Sequence, residues 1–442
     1  MRMDFAFGKT GLMLELPDKF EYHQLEARSA EALQDWEGSL ERALDAPIGT
    51  PGLAEMARGR GSAAISVCDI TRPVPNRVTL PRIMERLLRG GIPAEKITLH
   101  IATGLHRPAS EAEINEIVGE ELARQYRVWN HHARNLDEHR YLGETGSGTP
   151  VYIDERFMAA DLHITLGFIE PHLMLGYSGG RKLIAPGLAG ERTIKVLHSP
   201  KFMRDARTHE GSIAGNPLHQ ELLEIGRMAR HDFMLDVALT SAKGRGASSV
   251  LREVSNEGKR EIAGVFAGDA VQAHAAGVEF VSRVMLELIP EPVDAVITTS
   301  AGYPLDLTFY QAVKGITAAQ HILKPGGKIL LVAACQEGAG APEFAGMLRG
   351  APGAAQFLEA IEKAPVVVDQ WQMEKMAMVA RNVGLLFYVP GLPEAFYEKL
   401  WGTAFRTAAE AVDALTAGLG AGARIALIPE GPYVLAKVAR AA

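Results

Sequence analysis

The chain has 442 residues, 47% of them hydrophobic and 22% charged, which excludes a disordered or fibrous polymer and allows two or three well-filled domains. Its 46 Lys and Arg against 53 Asp and Glu leave a net charge of −7, so no broad basic field is available for a polyanion and nucleic acid is not an expected partner. The two cysteines, Cys68 and Cys335, rule out a disulfide scaffold or a Cys-rich metal centre and fit a reducing compartment.

Apolar runs at residues 62–68, 97–101, 162–168, 293–299, 328–334, 383–389 and 424–428 predict strands. Several are almost uninterrupted, as parallel strands covered on both faces are. Residues 82–90 and 111–125 carry charge on one side and predict helices between them. The alternation predicts an α/β fold of doubly wound sheets. Ile289-Pro-Glu-Pro closes a helix-like segment just before the strand at 293, so we place one domain at 1–286 and a second at 287–442. The last strand and tail could belong to the second domain or return to the first. Residues 243–260 are polar and interrupted by Gly and Ser, and read as a surface excursion. The first residues, Met1-Arg-Met-Asp-Phe-Ala-Phe-Gly, lack the apolar stretch and cleavage site of a secretory signal, and no uncharged apolar run would span a bilayer. A cytoplasmic protein without membrane contact is expected.

Ligands of open α/β sheets bind beyond the carboxyl ends of the strands. Asp69-Ile70-Thr71-Arg72-Pro73 follows the first run, and Ala-Thr-Gly104-Leu-His106-Arg107-Pro108 follows the second. Ile-Glu170-Pro171-His172 and then Gly176-Tyr-Ser-Gly-Gly-Arg181-Lys182 follow the third. Ser-Ala-Gly302-Tyr-Pro304 follows the fourth and leads into a helix bearing Tyr310, Gln311 and Lys314. Strand end after strand end thus delivers polar groups beside Gly and Pro, which fix unusual turns.

Each motif alone also has an ordinary reading. His106 or His172 could be a hydrogen-bonded loop residue, and Asp69 with Arg72 a turn-stabilising ion pair. The 176–182 turn lacks the Gly-Lys-Ser/Thr of a Walker A loop. Lys314 shares a helix face with Tyr310 and Gln311 by its spacing, as solvated faces also do. His131, His132 and His139 lie among Arg134, Asp137, Glu138 and Arg140, and read as a charged surface segment rather than a metal cluster.

If the strand ends converge, two imidazoles could work as base and acid on one substrate, while Arg72 and Lys314 hold a carboxylate. Inversion beside a carboxylate would follow. A 2-hydroxy acid's α-hydrogen is too weakly acidic for histidine alone, so a cofactor that takes electrons is implied, with Lys182 as its natural anchor.

Taken together, Asp69-x-Thr-Arg-Pro, Thr-Gly-Leu-His106-Arg-Pro, Pro-His172 followed by Gly-Tyr-Ser-Gly-Gly-x-Lys182, Leu-His198-Ser-Pro and Tyr310-Gln-x-x-Lys314 resemble the nickel-dependent lactate racemase family. The resemblance implies two α/β domains with the active site in the cleft between them. It implies a nickel-pincer nucleotide, the Ni(II)-pyridinium-3,5-bisthiocarboxylic acid mononucleotide, covalently attached at Lys182. His198 would be the protein's ligand to nickel, and Lys182 would hold the metal only through the tethered cofactor. Asp69, Ile70, Thr71 and Arg72 would lie at the nucleotide, and His106 and His172 would be the paired acid/base residues. Arg72, Tyr310, Gln311 and Lys314 would bind the substrate, with Trp371 beside the metal. The implied reaction is racemisation or epimerisation of a small 2-hydroxycarboxylate by reversible hydride transfer, with cofactor-synthesis and maturation proteins as partners. Two alternatives stay open at this point: a lysine Schiff-base enzyme of the pyridoxal phosphate type, and a non-catalytic nucleotide- or nickel-binding protein. The role of Arg181 is undecided.

Overall fold

The computed structural model describes residues 1–26, 28, 30–240 and 261–439, and its frame is a pair of six-stranded sheets. The first runs in the order Ile262–Gly268, Phe233–Leu239, Leu162–Phe168, Ala63–Cys68, Ile97–Ala102, Arg127–Asn130. All its neighbours are parallel except the edge strand Ile262–Gly268, which is antiparallel to Phe233–Leu239. The second runs Thr403–Ala404, Gly384–Tyr388, Leu323–Val332, Val293–Thr299, Arg424–Ile428, Glu21–Gln24, parallel throughout. These are two doubly wound α/β domains, as the alternating pattern predicts.

Period-two alternation explains how each sheet is covered. In the second sheet Val296, Ile329 and Leu331 pack on the side of helix Phe309–Ala319, whereas Ala295, Ile297, Leu330 and Val332 pack on the opposite side. The first sheet is asymmetric. Ile65, Val67, Leu99, Ile101, Ile164 and Leu166 fill an apolar core on one face, while Ser66, His100, His163 and Thr165 are buried on the other. That polar face carries the loop that follows Leu162–Phe168.

Several expectations are adjusted. The helix predicted at 111–125 divides into Glu111–Val118 and Glu120–Gln125 at Gly119, whose φ is 89°. The first residues, expected in the domain at 1–286, pack on the second sheet instead. Glu21–Gln24 pairs with Arg424–Ile428, and Met3, Phe5, Leu14 and Leu16 join the core of Ile297 and Leu330. An unpaired sheet edge accepts any strand that reaches it, and local pattern does not say which edge that is. Leu286–Ile289 is a strand rather than a helix end, and it pairs in parallel with Leu435–Val438 near the end of the chain. The predicted excursion at 243–260 lies outside the described residues. Among the described residues no helix is long and apolar enough to cross a membrane.

Candidate active site

The topology creates a switch point in each sheet. In the first, the chain leaves Ala63–Cys68 toward one side and returns to lay Leu162–Phe168 on the other, so the loops bearing Asp69–Arg72 and Glu170–His172 diverge at one crevice. In the second, Val293–Thr299 and Arg424–Ile428 have the same relation, followed by the Tyr310–Lys314 helix and the loop containing Tyr433. A Cβ on Gly315 would lie 2.1 Å from the Thr299 carbonyl oxygen, so glycine lets that helix settle directly on the strand end. The two crevices face each other: Arg72 feels Glu170 and Asp69 from its own domain and Tyr433 from the other, and His172 feels Lys182, Arg72, Lys314 and His198.

Lys182 sits in a short helical turn, Gly180–Leu183, laid over the polar face of the first sheet. Gly179 has a φ of 88°, and a side chain there would meet Asp236 Oδ2 at 2.2 Å. The Gly180 N–H donates to that same oxygen at 2.7 Å, and Ser66 Oγ donates to the Leu183 carbonyl at 2.9 Å. Burial pushes the Asp236 carboxyl up to about 7. Arg181 turns away from the cleft. It is buried, 2.6 Å from His274 Nε2, and it donates to the carbonyls of Tyr177 and Leu175 at 3.2 and 3.4 Å. It braces the loop from below rather than meeting a ligand. Burial, with Arg72 beside it, brings the Lys182 amine down to about 7, so much of it is an uncharged nucleophile at neutral pH.

His198 caps the C-terminus of helix Glu191–Leu197. Its Nδ1–H donates to the Ile194 carbonyl at 2.8 Å, which leaves the Nε2 lone pair for a metal. Burial lowers the imidazole to about 4. The Trp371 ring from the second domain lies 4.4 Å from it, centroid to centroid. Trp371 also packs among Ile194, Leu197 and Phe202 of the first domain and donates from Nε1 to the Tyr310 hydroxyl at 3.2 Å. Tyr310 therefore reaches the His198 region through Trp371.

The two candidate acid/base histidines have different settings. His106 is exposed, with Nδ1 2.6 Å from Asp69 Oδ2. Asp69 Oδ1 accepts from the Thr71 N–H at 3.2 Å and from its hydroxyl at 2.5 Å. Burial alone would raise the Asp69 carboxyl, but these bonds, with Arg72 nearby, hold it below its usual range. Asp69 thus serves to orient His106, while Ile70 packs against the first sheet's core and Thr71 is exposed. His172 is half-buried, and its Nδ1 accepts the N–H groups of Met174 and Leu175, each at 3.3 Å. Burial, reinforced by Lys182, Arg72 and Lys314, pushes it well below the ordinary imidazole range. Lys314 donates to Gln311 Oε1 at 2.6 Å, and burial next to Arg72 lowers its amine to about 8.

Glu170 carries a part the sequence motifs did not single out: its charge acts on Arg72, Lys182 and Lys314 together. Its place beside Pro171-His172 at a strand end is the signal that could have marked it. Asp369 was likewise missed; it is hydrogen-bonded to Tyr310. The histidine segment needs a correction. His131 is buried rather than on a charged surface, because Asp154 Oδ2 at 3.1 Å and the Ala189 carbonyl at 2.9 Å satisfy both its nitrogens inside the fold. His139 stacks edge-on against it, and His132 pairs with Glu138 at 3.1 Å.

Two doubly wound domains with facing switch points define a two-domain α/β enzyme. The profile of the lactate racemase N-terminal domain matches residues 7–211, and that of the lactate racemase C-terminal domain matches 289–436. The chain belongs to the lactate racemase family and is an isomerase of the racemase class. It is 30% identical over 440 residues to the lactate racemase of Thermoanaerobacterium thermosaccharolyticum, covering 98% of this chain and 99% of the relative. To that of Lactiplantibacillus plantarum it is 31% identical over 442 residues, again covering 98% and 99%. The solved apoprotein from T. thermosaccharolyticum superposes with a TM-score of 0.88 at 30% identity, over 99% of this chain and all of that one. A protein from Thermotoga maritima shares the fold, with a TM-score of 0.64 at 15% identity over 91% and 98% of the two chains.

Proposed function

We propose that the protein racemises a small 2-hydroxycarboxylate, lactate in the first instance, with a nickel-pincer nucleotide tethered to Lys182. The observation that carries this reading is the pairing of a Lys182 amine lowered to about 7 with a His198 whose Nε2 is left free by the Ile194 bond. An uncharged amine suits a covalent amide-type link, and a neutral imidazole on a fixed ring suits a borderline metal such as nickel. Arg72 and Lys314 suit the negative charge of a nucleotide and of a carboxylate. When bound, the group supplies the hydride acceptor and donor that side chains lack.

The chain's own residues do the rest. Arg72 and Lys314 grip the carboxylate, with Gln311 holding the Lys314 ammonium in place. Asp69 fixes His106 with its Nδ1–H inward, so His106 Nε2 takes the substrate hydroxyl proton as the α-carbon becomes planar and gives it back once the planar centre has presented its opposite face. His172, with Nδ1 occupied by backbone donors, presents Nε2–H to the same oxygen. Trp371 shields the His198 side of the cleft from water. Maturation proteins that build and load the nucleotide are the partners this reading requires. The Schiff-base and carrier alternatives leave Arg72, Lys314, His106 and His172 without a shared task.

The test is intact mass and metal analysis of protein produced together with the cofactor-building machinery. The expected result is a covalent adduct that disappears in Lys182→Ala, and nickel that is lost in His198→Ala while the adduct stays. Protein free of adduct and nickel that still racemises lactate would sink the proposal.

A further inference from the structure

We propose that His209, Glu210 and His321 form a second metal site, for a divalent transition-metal ion with the preferences of zinc, straddling the two domains. His209 and Glu210 lie between helices Pro200–Met203 and Pro217–Met228 of the first domain, and His321 lies in the turn Gln320–Ile322 that ends helix Phe309–Ala319 of the second. One ligand atom from each residue lies within 4.8 Å of the other two. His321 Nε2 and Glu210 Oε2 are 3.2 Å apart, close to the edge of ~3.3 Å that follows from tetrahedral zinc bonds of about 2.0–2.1 Å. The two imidazole centroids are 4.7 Å apart.

The ligands are oriented as those of metal sites are. His209 Nδ1–H donates to the Glu210 carbonyl oxygen at 2.8 Å, so Nε2 is left as the coordinating nitrogen. Thr317 Oγ1 donates to Glu210 Oε1 at 2.8 Å and leaves Oε2 for the ion. Burial works to raise the Glu210 carboxyl, but the bond and charge of His321, a backbone N–H and the Thr317 hydroxyl together hold it below its usual range. The ion would replace the proton shared by His321 and Glu210, and that proton leaves to solvent. His321 is 22% exposed at its side chain, which gives the ion a way in.

The surroundings select the kind of ion. Lys375 Nζ donates to the carbonyls of Met203 and Thr208 at 3.0 and 2.7 Å, and Lys437 Nζ donates to that of Gly211 at 3.3 Å. Both add positive charge, Lys375 near Glu210 and Lys437 near His209. Hard cations, which need several oxygen ligands, are disfavoured there, while two imidazoles and one carboxylate form a zinc-type set with an open fourth position. Thr317 shares its helix with Gln311 and Lys314, so a bound ion would pin the substrate-facing helix to the domain that carries Lys182 and His198. Neither Lys182 nor His198 belongs to the ligand set, so this site stands apart from the nucleotide reading.

The test uses full-length His198→Ala protein, made without the cofactor machinery and stripped with chelator, so that the nickel ligand proposed above is removed. Titration with Zn²⁺ against a competing chromophoric chelator should give one ion per chain, with no comparable binding of Mg²⁺. Adding His209→Gln or His321→Gln should weaken Zn²⁺ by about tenfold or more, and the rise in melting temperature that Zn²⁺ gives the parent should vanish. Co²⁺ bound to the parent should show the strong visible bands of tetrahedral coordination, a readout that needs no further variant. Zn²⁺ binding unchanged in both double variants, binding no better than Mg²⁺, or a weak octahedral Co²⁺ spectrum would each overturn the proposal.

Discussion

His106 and His172 face the same cleft from loops that follow the two strands flanking Ala63–Cys68 in one sheet, yet the fold treats them in opposite ways. His106 is exposed and braced by an ionised carboxylate, which accepts its Nδ1–H and leaves Nε2 able to take a proton. His172 is half-buried among cations, with backbone N–H groups against Nδ1, and these donors fix the proton on Nε2. A second proton would bring an N–H against those amides and a cation beside Lys182, Arg72 and Lys314. Equal spacing after a strand therefore does not make equal chemistry. In our reading the first histidine moves the proton and the second positions the oxygen.

The sharpest way to break this comparison is to replace each ring by glutamine, whose amide can donate where Nε2–H does but cannot act as a base. His106→Gln should lower kcat/KM for lactate by ~10²–10⁴-fold, and His172→Gln by roughly tenfold, because its donor survives. Equal losses would mean that both rings carry protons. Asp69→Asn should fall between them, at a loss on the order of 10²-fold, since an amide neither fixes the His106 ring nor balances its charge. The pH profile separates the two roles again. Burial and the neighbouring cations keep His172 neutral, so His172→Gln should leave the shape of kcat/KM unchanged over about pH 5 to 8.

What could be read in the sequence follows the range of the forces involved. The strands at 162–168, 293–299 and 424–428 are apolar runs whose bounds need no distant partner, and they stand as predicted. Phe233–Leu239 escaped notice because Asp236 interrupts it, and that carboxyl is accommodated by the Gly180 N–H of a distant loop, with Gly167 and Arg181 also acting on it. The N-terminal strands could not be assigned to a sheet, because Glu21–Gln24 finds its edge at the far end of the chain. Within the candidate site, the strand-end motifs were legible as local anomalies of Gly, Pro and charge. The directions of Arg181 and His131 were not, since His274, Asp154 and Ala189 decide them from elsewhere in the fold.

Lys182 offers a milder probe of the same cationic cleft. An amine lowered to about 7 is protonated and inert below that pH and nucleophilic above it. In cofactor-free protein, labelling of Lys182 by an amine reagent, followed by peptide mass mapping, should be half-maximal near pH 7, while surface lysines label only at alkaline pH. Arg72→Met removes a neighbouring cation and should move that midpoint upward. A midpoint unmoved by Arg72→Met would mean that desolvation alone sets it and that Arg72 does not share the site with the tether.

The smallest expected effect lies where the second domain touches the His198 side of the cleft. Trp371→Phe keeps a ring against His198 and among Ile194, Leu197 and Phe202, but it removes the N–H that Trp371 gives to the Tyr310 hydroxyl. Asp369 remains hydrogen-bonded to that hydroxyl, so Tyr310 is not left without a partner. The loss of stability should be ~0.5–1.5 kcal/mol, the net worth of one neutral hydrogen bond, read from the midpoint of urea unfolding. Nickel retention should not change, because the Ile194 carbonyl rather than the indole N–H orients His198. If instead Trp371→Phe released nickel while stability hardly moved, the indole would belong to the metal's surroundings. The difference between the two sides of the cleft would then lie in how each holds the cofactor rather than in how each handles the proton.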